Sequence, residues 1–404
     1  MTAPRGKALI GQSGGPTAVI NQSLVGLVEA ALSSDRIQAV YGALHGIKGV
    51  LSEDLIDLGR ESKETLSAVA ATPCAALRSV RKKPTREECE RALKVFQAHD
   101  IRYFFYIGGN DSAETAHILN ELALSEKYDL RLFHVPKTID NDLRVTDHCP
   151  GYGSAAKFVA CAMIGDDLDN RSLPGIKVNV IMGRNAGWLT AASTLARRRE
   201  NDGPHLVYVP EQVFSLEAFI ADVDRVYSRL GRCLIAVSEG IHDAAGKPIY
   251  ESKEVDAHGN VQLSGSGALG DWLAGQIKAQ LGAKLRVRAD TFGYLQRSFA
   301  GLVSEVDAAE AREVGRTAVR VALEGDAPHG SIVIRRTGAG ADYRAAFERT
   351  ELENVARVTR PMEATYLAGD NDIAPAFEGY ARPLVGRMPL VGWLSEVKVA
   401  RKLA

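Results

Sequence analysis

Short apolar runs alternate with amphipathic stretches along this chain, and few folds accommodate that rhythm. Ala8-Leu9-Ile10 reads as a strand. Residues 18–32 read as a helix whose Val19, Leu24, Leu27, Val28 and Leu32 recur at helical spacing. Residues 39–44, 103–107 and 130–135 read as further strands, the last of them buried, and a helix is expected from Ser112. Residues 178–182, 206–209 and 233–237 continue the pattern, each with a plausible helix behind it, and 265–281 reads as a helix. This order calls for parallel sheets covered by helices on both faces. Residues 250–264, with Asp256-Ala257-His258-Gly259-Asn260, read as a hairpin or excursion. No internal repeat interrupts the pattern. A chain of 404 residues is expected to form two domains rather than one.

Charge and composition narrow the partners. Lys and Arg number 49 against 50 Asp and Glu, a net charge of -1, so nothing drives the chain toward nucleic acid or an anionic membrane. Any anion binding must be local. Apolar residues make up 46% and aromatic residues only 6%, as suits an Ala/Val/Leu/Gly-rich α/β protein. No apolar run approaches the ~20 residues of a membrane span. Cys74, Cys89, Cys149, Cys161 and Cys233 are odd in number and form no C-x-x-C, so they are expected to be reduced thiols of a cytoplasmic protein. Residues 1–7 show no signal-peptide core. The histidines are scattered without H-x-x-x-H spacing, and no zinc is expected.

Three glycine-bearing turns follow strands: Gly11-Gln12-Ser13-Gly14-Gly15, Gly108-Gly109-Asn110-Asp111-Ser112 and Met182-Gly183-Arg184-Asn185-Ala186-Gly187. In doubly wound sheets, ligands sit beyond the carboxyl ends of the strands. Glycine lets the backbone approach a phosphate, and a helix N-terminus points N–H groups at it. Each turn alone is a weak signal, and none matches a P-loop or G-x-G-x-x-G. The segment Pro136-Lys137-Thr138-Ile139-Asp140-Asn141-Asp142 is more telling. Two carboxylates two residues apart can face one site, one taking a hydroxyl proton and the other holding a metal, with Lys137 beside them. Phosphoryl transfer needs this set. An Asp-rich turn that caps the next helix is the competing reading.

Taken together, these segments resemble the phosphofructokinase family. The match is collinear from Gly11 to about Asp307 and adds Asn21, Gly151-Tyr152-Gly153-Ser154-Ala155, Ser238-Glu239-Gly240 and Gly293-Tyr294-Leu295-Gln296-Arg297. The resemblance implies roles residue by residue. Asp140 corresponds to the general base on the sugar 1-hydroxyl, with Thr138 and Asp142 beside the transferred phosphoryl and the metal. Arg184 corresponds to the arginine that neutralises the transferring phosphate. Met182 and Gly183 correspond to positions lining the sugar, and Glu239 to the residue that binds its hydroxyls. Arg288, Tyr294 and Arg297 resemble the 6-phosphate clamp. Gly14, Gly15 and Arg81 resemble the donor-phosphate site.

Two departures bear on the donor. ATP-type members have Gly-Gly-Asp-Gly-Ser where this chain has Asn110 and Asp111, and Gly where it has Lys137. The pyrophosphate-dependent branch resembles this chain at Asp111 and Lys137. An Asp side chain fills and repels the space of a nucleotide α-phosphate, while Lys137 can hold pyrophosphate. An amide oxygen is a weak Mg²⁺ ligand, so with Asn110 in place the metal role falls to Asp111 or Asp142. A second clamp arginine, expected seven residues before Met182, is Gly175, with Lys177 as a nearby substitute. Allosteric bacterial members carry basic residues four and eight positions after the motif's Asn, where this chain has Val25 and Glu29, so no response to nucleotide or phosphoenolpyruvate effectors is expected.

The resemblance implies two doubly wound α/β domains of similar size with an active-site cleft between them. Residues 1–151 with 298–350 would hold the donor, and 152–297 with 351–404 the sugar phosphate. The implied reaction is reversible transfer from pyrophosphate to fructose 6-phosphate with Mg²⁺. The implied assembly is a homodimer or homotetramer, because one clamp arginine, Arg288, enters a neighbouring subunit in the family. An ATP-dependent phosphofructokinase and a non-catalytic sugar-phosphate-binding regulatory subunit are the rivals. The intact Asp140, Asp142 and Arg184 speak against the second. Arg81-Lys82-Lys83 also reads as a plain surface run, and Trp188 as core.

Overall fold

The computed structural model describes residues 3–250, 267–325, 327–356 and 358–402. The excursion expected over 250–264 lies, beyond Tyr250, outside the described residues. Eleven of the strands build two sheets. They are β1 Gly6–Gln12, β2 Ile37–Ala43, β3 Leu55–Asp57, β4 Ile101–Gly108, β5 Arg131–Pro136, β6 Ile176–Ile181, β7 Leu206–Tyr208, β8 Cys233–Ser238, β9 Val287–Thr291, β10 His329–Arg336 and β11 Ala345–Thr350.

The larger sheet has seven strands in the order β11-β10-β5-β4-β1-β2-β3. Its centre is parallel, but β3 and β11 run antiparallel to their neighbours at the two edges. The sequence pattern gave no hint of these antiparallel edges. Strand β5 reads as one apolar run because it is covered on both faces. One covering layer consists of the helices Ile20–Leu32 and Glu305–Glu324, which pack Leu24, Val28, Val314 and Ala318 against Phe105 and Phe133. Helices Arg86–Ala98 and Asn110–Ser125 cover the other face around Phe96, Phe104 and Leu119. Burying each such side chain stabilises the fold by roughly 1.5–3 kcal/mol.

The smaller sheet is fully parallel, in the order β7-β8-β6-β9. Helices Leu216–Leu230 and Ala268–Leu281 cover one face. The long helix Tyr152–Ser172 and the C-terminal helix Ala376–Val385 cover the other, with Trp188 fully buried among them. Among the described residues no helix is long and apolar enough to cross a membrane.

Register brings the loops together. Gln12 of β1 pairs with Ile107 of β4, and Gly108 with Pro136 of β5. The turns at 13–15, 109–112 and 137–142 therefore leave one edge side by side. In the smaller sheet Ile181 pairs with Ser238, so 182–184 and 239–240 also leave together.

Candidate active site

The loops at the carboxyl edge of the larger sheet enclose a cavity of about 940 Å³. Its wall includes Gly14, Gly15, Arg81, Asp111, Lys137, Thr138, Asp140, Asp142 and Arg297. The first turn is shaped by glycine. Gly14 has φ +76°, and a Cβ on Gly15 would sit 3.3 Å from the Arg297 guanidinium. The Gly14 N–H donates to the Val80 carbonyl (3.0 Å), and the Ser79 hydroxyl donates to the Gly14 carbonyl (2.6 Å), which holds the Arg81 loop against the turn. Gln12 and Asn21 anchor the same loop further back, accepting from the N–H groups of Leu77 and Ala76. Of the basic run, Lys82 pairs with Glu88 and Lys83 with Glu114. Arg81 has no ion pair among the described residues and faces the cavity.

Lys137 continues the β4–β5 ladder, its N–H donating to the Gly108 carbonyl (2.9 Å). Its side chain is buried, and Nζ donates to the Gly15 carbonyl (2.7 Å). Burial, aided by Arg297 and Arg81, lowers the ammonium to about 7, while Asp140 and Asp142 oppose that fall. Burial raises the Asp140 carboxyl, and Arg297, Lys137, Arg184 and Arg81 pull it back down. Asp140 opens onto the cavity, so water offsets part of the upward push. Asp142, 8% exposed, is raised by burial and by the Asp140 charge. Two carboxylates, Asp140 and Asp142, and the cations Arg81, Lys137 and Arg297 thus share one cavity wall.

The loop between them is tightly held. Asn141 sits at φ +57°, a conformation Asn tolerates better than most residues. Its Nδ2 donates to Tyr380 Oη (2.7 Å), and its Oδ1 accepts from the Cys149 N–H (3.0 Å). The Arg360 N–H donates to the Asp142 carbonyl (2.7 Å). Sequence reasoning missed Asn141, Arg360 and Tyr380. Only the place of Asn141 between two aspartates could have drawn notice.

Oxygen donors for a metal are present. Asp111 lies exposed in the first turn of its helix, and Asp142 and Asp140 line the same cavity. Asn110 Oδ1 is buried and has no hydrogen-bond partner among the described residues. No group of three or more His, Cys, Asp or Glu among the described residues could hold a metal alone. A hard cation that takes one or two carboxylates and completes its shell with phosphate oxygens and water fits this set.

The remaining expected residues lie on the smaller sheet. Gly183 has φ +144°, and a Cβ there would meet the Ala186 carbonyl at 2.5 Å. The Ser238 hydroxyl donates to the Gly183 carbonyl (2.6 Å), joining the turn of Arg184 to that of Glu239. Met182 is buried in the core, its N–H donating to Gln296 Oε1 (3.3 Å). Arg297 lies 4.6 Å over the Tyr294 ring and responds to the charge of Glu239. Of these residues only Arg297 lines the cavity; Met182, Gly183, Arg184, Glu239 and Tyr294 do not, and Arg288 is exposed on β9, the edge strand. Lys177 is engaged by Asp166, by Asp169 at 3.2 Å and by Asp290 at 3.8 Å, so it is not poised to replace a clamp arginine. At the two expected effector positions, Val25 is core and Glu29 is paired with Arg312 (2.6 Å) and Arg316 (3.1 Å).

Comparison with known proteins supplies the family context. The family model described as phosphofructokinase matches residues 7–322. A Rhodospirillum rubrum protein named pyrophosphate–fructose 6-phosphate 1-phosphotransferase is 51% identical over 99% of both chains. One of the same name from Methylococcus capsulatus is 39% identical over 98% of both. A crystal structure of a pyrophosphate-dependent phosphofructokinase from Nitrosospira multiformis superimposes with a TM-score of 0.83 at 34% identity, over 99% of each chain.

Proposed function

The chain belongs to the phosphofructokinase family, and we propose that it transfers phosphate reversibly between pyrophosphate and the 1-hydroxyl of fructose 6-phosphate. The full-length relatives carry that name. The observation in this chain that supports the donor is the cavity wall itself. Lys137 is buried at the Gly14-Gly15 turn, and Asp111, exposed to solvent, lines the same cavity.

In this reading the larger sheet holds pyrophosphate and the smaller sheet the sugar phosphate. Arg81, Lys137 and the 14–15 turn bind the donor oxygens. Burial leaves Lys137 short of counter-charge, so an incoming anion favours its charged form. Thr138 and Glu239 orient the sugar, and Tyr294 and Arg297 receive its 6-phosphate. Asp140 accepts the 1-hydroxyl proton as the new oxygen–phosphorus bond forms, and inorganic phosphate leaves as the pyrophosphate bridge breaks. Burial raises the Asp140 carboxyl, which makes it a stronger base than a solvated aspartate. Arg184 offsets charge that develops on the transferring group. The metal would be Mg²⁺, held by Asp111 and Asp142 with donor oxygens; when bound it neutralises phosphate charge.

Arg288 completes the 6-phosphate clamp of a second copy, which makes the working unit at least a dimer. Glu29, committed to Arg312 and Arg316, leaves no cationic effector site, and a sigmoidal response to phosphoenolpyruvate or ADP would contradict that reading. All five cysteines are free thiols, in keeping with a cytoplasmic location. The direct test supplies the purified chain with fructose 1,6-bisphosphate, phosphate and Mg²⁺. Formation of pyrophosphate and fructose 6-phosphate in equal amounts is expected; no pyrophosphate would overturn the reaction.

A further inference from the structure

The Asp140–Asp142 loop is held from behind by residues that lie beyond the stretch matched by the family model, 7–322. Thr359 pairs with Leu143 as an isolated antiparallel bridge, and the neighbouring Arg360 N–H donates to the Asp142 carbonyl (2.7 Å). The Arg360 guanidinium then donates to three more carbonyls of the loop: Asn141 (3.2 Å), Thr146 (2.8 Å) and Asp147 (2.9 Å). It packs over Trp188 with 4.6 Å to the ring centroid. Tyr380, from the C-terminal helix, makes the complementary contact. Its hydroxyl accepts from Asn141 Nδ2 (2.7 Å) and donates to the Asp147 carbonyl (2.8 Å). Asn141 is the residue between the two aspartates, and its amide is used at both ends.

These bonds do more than satisfy the loop. A residue held at left-handed φ between the two aspartates sets the direction of the chain on either side of it. Among the described residues, the side-chain bonds that hold Asn141 there run to Tyr380 and to the Cys149 N–H. Both ring systems that support the arrangement, Tyr380 and Trp188, sit in the core of the smaller sheet, 5.1 Å apart. The loop itself springs from β5 of the larger sheet. The C-terminal segment therefore ties the aim of two carboxylates on one sheet to the core of the other. A displacement of about 1 Å in a reacting group is enough to cost ~10²-fold in rate.

We propose that Arg360 and Tyr380 are positioning residues for phosphoryl transfer: through Asn141 and the loop carbonyls they fix Asp140 and Asp142 relative to the two substrates, without touching either. This rests on the catalytic reading of the loop given above. Tyr380→Phe is the sharpest probe, since it removes one hydroxyl and keeps the ring. Turnover should fall about 10-fold or more, by the positioning argument above. KM for fructose 6-phosphate and for pyrophosphate should stay within about two-fold, because neither substrate is touched. Arg360→Lys should keep the charge and lose the fork of donors, with the same split between kcat and KM. Tyr366→Phe is the control: its ring lies 5.5 Å from Tyr380 in the same cluster, and it makes none of the loop bonds. It should leave kcat unchanged.

Amide hydrogen exchange supplies a readout that does not need turnover. In Tyr380→Phe the Cys149 N–H and its neighbours over 141–149 should exchange faster, with the core strands β4 and β5 unchanged. Unaltered kcat in Tyr380→Phe, or an equal loss in Tyr366→Phe, would overturn the proposal. If the wild-type chain turns over no sugar phosphate, the functional reading falls. The exchange data then still judge the strap, and unchanged protection over 141–149 would sink it.

Discussion

On the larger sheet, Lys137 and Asp142 are kept away from water, 3% and 8% exposed, while Arg81 and Asp111 of the same cavity wall are exposed. On the smaller sheet, Arg288 lies open on an edge strand, and Tyr294 is 46% exposed. The contrast follows from topology. Strands β1, β4 and β5 are central, so the loops at their ends meet over a covered surface. Strand β9 has a neighbour on one side only. Charges crowded into the first region are strongly perturbed by one another. In the proposed reading, the second region acts through groups that a further subunit or a substrate completes. The donor side should thus govern chemistry, and the β9 edge should govern affinity for the sugar phosphate.

The largest expected effect probes the buried half. Asp140→Asn should lower turnover by ~10²–10⁴-fold, the usual value of a general base, and leave the unfolding midpoint near wild type. Steady-state rates with both substrates saturating check this, and turnover within a few-fold of wild type removes Asp140 from the role. Lys137→Met should follow, with ~10²-fold lower pyrophosphate turnover, comparable to losing one preorganised donor in a dry site. Its KM for fructose 6-phosphate should move little. A larger change in that KM than in kcat would erase the distinction between the two halves.

Arg288→Ala addresses the open half. It should raise the KM for fructose 6-phosphate by ~10-fold or more, as loss of a charge-assisted bond to phosphate implies, with kcat nearly kept. Mixed oligomers of Arg288→Ala and Asp140→Asn subunits should recover activity that neither has alone at low substrate. No recovery would place Arg288 outside the neighbouring site.

The smallest effect concerns the charged cluster behind the loop. His148 lies between Asp147 (2.8 Å) and Glu310 (2.6 Å). Burial alone would lower the imidazole, but its bonds to Asp147 and Glu310 prevail and raise it to about 9. Burial would likewise raise Asp147, yet His148 and Arg336 hold it near 2. A raised histidine stabilises fully below its unfolded value of ~6.5 and loses that contribution as pH climbs through about 9. The depressed Asp147 contributes above its unfolded value and loses that as pH falls through about 2. Denaturant unfolding of the wild type should therefore weaken by ~2 kcal/mol between pH 6.5 and pH 9. His148→Gln should flatten that decline. An equal slope in the variant would show that another group titrates.

Local signals in the sequence were enough to locate the loops that share the cavity. Strands β1, β4 and β5 are short apolar runs, and the residues just after such strands must share an edge if the sheet is parallel. Partnerships between distant segments left no such mark. Arg360 and Tyr380 reach the loop from more than two hundred residues away in sequence, and nothing around them distinguishes a strap from a surface turn. The pairing of β10 with β11 was equally silent, because an antiparallel edge follows from the chain's return path rather than from periodicity. Lys177 misled through proximity: it lies on β6, and Asp166 and Asp169 of the helix Tyr152–Ser172 occupy its charge.

Donor choice is what most sets this chain apart from ATP-type members of its family. The measurement that tests it most directly is kcat/KM for pyrophosphate and for ATP, with saturating fructose 6-phosphate and Mg²⁺, in the wild type and in Asp111→Gly. Pyrophosphate should be strongly preferred by the wild type, and the variant should gain measurable use of ATP as the bulk and charge on the cavity wall are removed. A wild-type chain that uses ATP better than pyrophosphate would contradict the donor assignment.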